Sequence, residues 1–140
     1  MAEQRRAVAA AIERGAGAWL AVRRPDEPGE ELPGVWGLPA TTLRGDESEE
    51  VGVARIGREK LGAELTAGQV LGLGEQDREG YTLRMTVREA SITGTPCLPP
   101  KGSAGGTLYD ALGWLPADSF RGAAERGSLC CAVFLETLAR

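Results

Sequence analysis

The chain has 140 residues, with 16 Lys and Arg against 20 Asp and Glu, for a formal net charge of −4. That length suits one domain with a proper hydrophobic core, and the acidic balance speaks against a generic nucleic-acid surface. Histidine is absent, which removes the commonest general base, the Ser-His-Asp triad, Cys-His nucleophiles and histidine-ligated zinc.

At the N-terminus, MAEQRRAVAAAIERG places charge inside any would-be hydrophobic region, so no signal peptide is expected and a cytoplasmic location is the default. No apolar run reaches the roughly 18 residues of a membrane span. Arg6 to Ile12 and Trp19 to Arg23 flank Glu13-Arg14-Gly15-Ala16-Gly17, which predicts a hairpin. Taken alone, AVAAAI suits helix and strand equally. Pro25 to Pro33 reads as a polar loop.

Val35 to Leu38 predicts a short strand ending at Pro39, which cannot donate to a sheet ladder. Asp46 is a fitting N-cap, and Glu49 three residues later completes a capping-box-like pair. Glu47, Glu49 and Glu50 crowd the first turn, where the helix dipole favours negative charge. Gly62 stands where a C′ glycine belongs. These signals predict a helix from about Glu47 to Leu61, in spite of Gly52 and Gly57, each of which costs roughly 1 kcal/mol relative to Ala in a helix interior.

Gln69 to Gly74 and Tyr81 to Ile92 flank EQDREG and predict a second hairpin. Tyr81, Leu83, Met85 and Val87 alternate with Thr82, Arg84, Thr86 and Arg88, as in a strand with one solvated face. Thr95 to Gly106 is a long breaker-rich loop, and Leu108 to Leu115 reads as a strand containing Trp114. Pro116 to Phe120 opens a helical region with Asp118 or Ser119 as cap. After Gly127, Ser128 can cap a terminal helix through Leu138. Cys97, Cys130 and Cys131 make an odd count without metal-type spacing, and the last two are expected as small buried side chains. With no internal repeat and no linker, residues 1–140 read as a single domain, a sheet between helices.

The segment from Trp36 to Gly62 resembles the Nudix box. Trp36, Leu38 and Pro39 match its lead-in, and Glu47 its first glutamate. Arg55, after seven intervening residues, matches the arginine, Glu59 the first of the paired glutamates and Gly62 the late glycine. Sliding the alignment by three residues loses both the lead-in and the late glycine. The resemblance implies the Nudix α/β/α sandwich, an α/β fold with a mixed β-sheet between helices. It also implies hydrolysis of a diphosphate linked to another group, commonly a nucleoside diphosphate derivative, with magnesium or manganese as cofactor. By the same resemblance, Glu47, Arg55 and Gly62 are structural residues of the box.

The chain departs from the pattern at the chemistry. Ala40 and Thr41 replace a glycine pair, Ile56 replaces the glutamate after the arginine, Gly57 replaces an aliphatic residue, and Lys60 replaces a principal metal-ligand glutamate. Residues three or four apart share a helix face, so carboxylates at 56, 59 and 60 would converge on an ion that neutralises developing charge and activates water. Only Glu59 remains, as candidate catalytic residue and metal ligand, with a solvated pair to Arg55 as the plainer alternative. Lys60 and Arg58 are candidate substrate-binding cations. Lys60 is either a surface lysine or a replacement for the ion that contacts phosphate directly. Glu49 and Glu50 are expected to be surface charges, Glu89 and Asp110 solvated carboxylates, and Trp19, Trp36 and Trp114 core aromatics that could otherwise stack on a base.

Two functions compete. One is a hydrolase of nucleoside diphosphate-linked substrates with an altered, weak metal site. The other is a non-catalytic Nudix-fold module that binds a nucleotide or a protein. A third, the damage-reading part of a DNA glycosylase, is disfavoured by the acidic balance. The expected partner is a small-molecule nucleotide or derivative, with no nucleic acid and no membrane, and a homodimer is left open.

Overall fold

The computed structural model describes residues 3–25, 32–99 and 109–140. The parts of the polar loop at 26–31 and of the breaker-rich loop from 100 onward lie outside the described residues, as does Leu108. Among the described residues there are eight strands: β1 (Glu3–Ala11), β2 (Glu13–Arg14), β3 (Ala18–Arg23), β4 (Trp36–Gly37), β5 (Ala40–Thr42), β6 (Glu64–Arg78), β7 (Tyr81–Thr93) and β8 (Ala111–Pro116). The helices are α1 (Glu49–Ile56), which continues as a wider π-helical turn at Gly57–Leu61, then α2 (Arg121–Glu125) and α3 (Leu129–Leu138).

The strands form two sheets. In the first, with order β5-β1-β7-β6, β1 runs parallel to β7 from Glu3 opposite Tyr81 to Ala11 opposite Glu89, and antiparallel to β5. In the second, β3 pairs antiparallel with β2, β4 and β8. The α/β fold with a mixed sheet between helices is thus the one expected.

Strand β1 explains the layering. Its side chains alternate faces, and Ala7, Ala9 and Ala11 join the core under α2 and α3, while Val8, Ala10 and Ile12 join the core under α1. Both faces are buried, so the run shows no polar alternation, which is why AVAAAI left helix and strand undecided. Small alanines let the helices approach closely. On the α3 side Phe134 meets Trp19 and Phe120 edge-to-face, at centroid distances of 4.9 and 5.5 Å.

Several local expectations are corrected. The first hairpin joins β2 to β3, not the whole Arg6–Ile12 run, because β1 belongs to the other sheet. The second turns at Glu79-Gly80, and the polar EQDR stretch continues β6 because its backbone pairs with β7 as far as Arg78 opposite Tyr81. The face of β7 carrying Thr86 and Arg88 is covered by α1: Thr86 Oγ1 donates to Glu49 at 2.7 Å and Arg88 to Glu49 at 3.0 Å. Glu49 is therefore bound, not a free surface charge. Ser128 precedes α3 as expected, yet its hydroxyl lies 3.5 Å from the Cys130 sulfur and makes no capping bond. Neither Asp118 nor Ser119 caps α2; Asp118 pairs with Arg121. Cys130 and Cys131 are buried. No helix among the described residues is long and apolar enough to cross a membrane.

Candidate functional site

The site forms where α1 crosses the β5 end of the first sheet. Ser48, not Asp46, caps the helix, its hydroxyl accepting the Val51 N–H at 3.1 Å. The residue just before the cap is thereby freed for another role. Glu47 takes a two-pronged bond from Arg55, Nε at 2.9 Å and Nη2 at 2.8 Å, and accepts the Arg44 N–H at 3.0 Å. Arg55 also donates to the Thr42 carbonyl at 2.9 Å, so one buried guanidinium ties helix, loop and β5 together. Arg55 holds the Glu47 carboxyl down at about 2. At the other end Gly62 turns the chain with φ +60°, a left-handed conformation that glycine adopts without strain, and its N–H closes on the Gly57 carbonyl.

Of the three positions where the resemblance expects carboxylates to gather, two hold other residues and the third is already paired. Ile56 is fully buried in the α1-side core beside Val53 and Leu61. Glu59 faces two guanidiniums, with Arg55 Nη1 at 3.4 Å and Arg44 Nη2 at 3.8 Å from its Oε1. Lys60 is buried, with its Nζ donating to the Ala40 carbonyl at 2.6 Å and standing 5.6 Å from the centre of the Tyr109 ring. Burial first, and then the fields of Arg24 and Arg55, push Lys60 down to about 8. Tyr109 grips the same residue: its hydroxyl accepts the Ala40 N–H at 3.2 Å and lies 3.4 Å from the Ala40 oxygen, and burial pushes it up to about 12.

Magnesium or manganese asks for several oxygen ligands. Here one carboxylate, already held by two arginines, sits beside a fixed ammonium, and this donor set does not fit the ion that the fold family implies. Among the described residues no three acidic, histidine or cysteine side chains converge at ligand spacing.

Beside Lys60 a cavity of about 420 Å³ opens between β1, β5, β7 and the start of α3. Arg5, Arg24, Lys60 and Arg78 line it, and no carboxylate does among the described residues. Tyr81 forms part of the wall with the Arg5 guanidinium 4.0 Å from its ring centre. The Cys130 thiol and Ser128 lie at the α3 end.

Of the residues singled out in the sequence, Glu47 and Arg55 meet in one bracing unit, Gly62 ends the helical segment at its far end, and Lys60 reaches the cavity. Arg58 is exposed and does not line it, and Glu59 points to the arginines. Glu50 pairs with Arg88 at 3.1 Å and Asp110 with Arg23 at 2.9 Å, while Glu89 is exposed. The three tryptophans are half-buried, Trp114 beneath Arg14 and Trp36 beneath Arg23. Sequence reasoning missed Arg5, Arg24, Arg78 and Tyr109. No local signal marks them, since strand pairing between distant segments brings them together.

No protein-family model and no curated protein matches the chain. Solved structures do. A MutT Nudix hydrolase from Burkholderia pseudomallei is 26% identical over 90% of this chain and 99% of that one, with a TM-score of 0.68. The MutT protein from Methanosarcina mazei Go1 is 21% identical over 99% and 93%, with a TM-score of 0.72. A Nudix hydrolase from Nitrosomonas europaea is 17% identical over 98% and 89%, with a TM-score of 0.74. The chain has the fold of the Nudix superfamily, and the sequence resemblance falls on its strand–loop–helix unit.

Proposed function

We propose that this Nudix-fold chain binds a nucleotide or nucleotide derivative, of the nucleoside diphosphate-linked kind, and that metal-dependent hydrolysis is weak or absent in it. The observation that carries the reading is the set at positions 56, 59 and 60: a buried apolar side chain, a carboxylate held by two guanidiniums, and an ammonium bound to a backbone carbonyl. Two like unit charges about 4 Å apart repel by roughly 4 kcal/mol at an effective dielectric of about 20. A tenfold loss of affinity corresponds to about 1.4 kcal/mol, so an ion placed beside Lys60 would be held poorly. The scaffold, by contrast, is intact in the Glu47–Arg55 brace and the Gly62 turn. We further read residues 1–140 as one cytoplasmic domain without nucleic-acid or membrane partners, in keeping with the net charge of −4.

Phosphate release from a panel of nucleotides with magnesium and with manganese tests the reading, in the parent chain and in Glu59→Gln. A nucleotide that raises the melting temperature without being cleaved is the expected result, since a ligand preferring the folded state adds apparent stability. Metal-dependent release abolished by Glu59→Gln would overturn it in favour of a magnesium- or manganese-dependent pyrophosphohydrolase. Neither response would leave a protein-binding module.

A further inference from the structure

We infer that the cavity beside Lys60 takes its phosphate-bearing ligand as the free anion, not as the magnesium complex, with the Lys60 ammonium standing in for the bound cation. This rests on the nucleotide-binding reading above and specifies the ionic form of the ligand. Four cationic side chains line about 420 Å³ with no carboxylate among the described lining residues, in a chain whose net charge is −4; Arg5 is paired from outside the lining with Glu3 at 2.8 Å, and Arg78 donates to Gln76 at 2.8 Å. That volume is within the usual range for a small-molecule site. The concentration of positive charge therefore runs against the charge of the molecule as a whole and suits a compact polyanion.

Lys60 is placed for it. Its stem is buried and its Nζ is fixed by the Ala40 carbonyl at 2.6 Å, which uses one of three ammonium donors and leaves two for a ligand. Tyr109 bonds both the N–H and the carbonyl of the same residue, Ala40, so the acceptor that orients Lys60 is itself immobilised. The arginines contribute planar forks that match phosphate oxygens. A phosphate group brings about −1.5 to −2 charges of its own, which a cationic lining led by Lys60 and Arg24 offsets without a metal. A magnesium complex arrives partly neutralised and carries a dication into a cavity already positive. The carboxylate that could welcome that dication, Glu59, points away to Arg55 and Arg44.

Calorimetric titration of the full chain with inorganic pyrophosphate, in EDTA and with excess magnesium, tests this. Binding at least tenfold tighter in EDTA is expected, with at least a tenfold loss in Lys60→Met. Binding that needs magnesium, or that Lys60→Met leaves unchanged, would overturn it. Arg5, with its side chain half exposed, gives a second variant that does not depend on a buried site: Arg5→Gln should weaken binding in EDTA several-fold, and unchanged affinity counts against the inference. Nucleotides that stabilise the chain only with magnesium would overturn this inference while sparing nucleotide binding. Pyrophosphate bound in EDTA without any nucleotide response would do the reverse, and no response to either would remove both.

Discussion

The ammonium of Lys60 donates to the carbonyl oxygen of Ala40 at 2.6 Å, joining the π-helical turn after α1 to the first residue of β5. A single side chain thus bridges helix and strand, at the position where the resemblance to the Nudix box expects a ligand glutamate. Its cost is the desolvation of a charge. Replacing a buried charge by an apolar side chain of similar size is often neutral or stabilising, and Tyr109 still serves Ala40. Lys60→Met should therefore keep its stability within about 1 kcal/mol of the parent in urea unfolding. A larger loss would mean that the ammonium is chiefly a structural pin.

Glu47 and Arg55 form the opposite case. Removing one partner strands the other, and Arg55 is buried with its side chain only 7% exposed. Glu47→Ala should cost about 3 kcal/mol, measured as a lower midpoint in denaturant with unchanged slope.

The same pair sets an acid limit. The Glu47 carboxyl is lowered from 4.5 to about 2 in the folded state, so the unfolded chain binds the proton first and stability must fall as pH falls. The contribution is fully present above about 4.5 and is lost progressively down to about 2. Melting temperatures across that window should drop less steeply in Glu47→Gln than in the parent. Parallel curves would show that other groups govern acid unfolding.

Gly52 and Gly57 should resist the substitution that helix propensity recommends. Alanine normally gains about 1 kcal/mol over glycine inside a helix. A Cβ at Gly57 would stand 2.5 Å from the Ala63 oxygen and 3.0 Å from the Leu65 nitrogen, backbone atoms that cannot step aside. At Gly52 the closest atom, at 2.4 Å, is the end of the flexible Leu43 side chain. Gly57→Ala should destabilise by about 2 kcal/mol and Gly52→Ala by less, in keeping with the cost of overpacking. Equal effects would contradict the geometry.

Glu59 is the one carboxylate among positions 56, 59 and 60. Its ion pairs are partly exposed, at 3.4 and 3.8 Å, and such pairs contribute about 0 to 1 kcal/mol. Glu59→Gln should leave both stability and nucleotide-dependent stabilisation nearly unchanged, as thermal melts would show.

Legibility in the sequence followed the range of the interactions. The acidic first turn, the arginine after seven intervening residues and the late glycine lie within one helix and its loop, and they specify the helix end and the Glu47–Arg55 brace. The cap was misplaced by two residues, from Ser48 to Asp46, because both are good caps and only the Glu47–Arg55 bond decides which turn is the first. The alternation in β7 was correct in period and wrong in environment: a half-polar face signals water unless another element covers it, and α1 covers Thr86.

What the sequence by itself determined is the strand–loop–helix unit, since caps, acidic turn and late glycine are residue types at fixed local spacing, and its resemblance to the Nudix box pointed to the family of folds. Only the tertiary structure decided where Lys60 points and what surrounds it. The parallel pairing of β1 with β7 sets Arg5 near Tyr81, and the return of the chain after β7 brings Tyr109 to Ala40. Such contacts depend on packing between segments far apart in the chain, and that packing leaves no period or motif in the sequence.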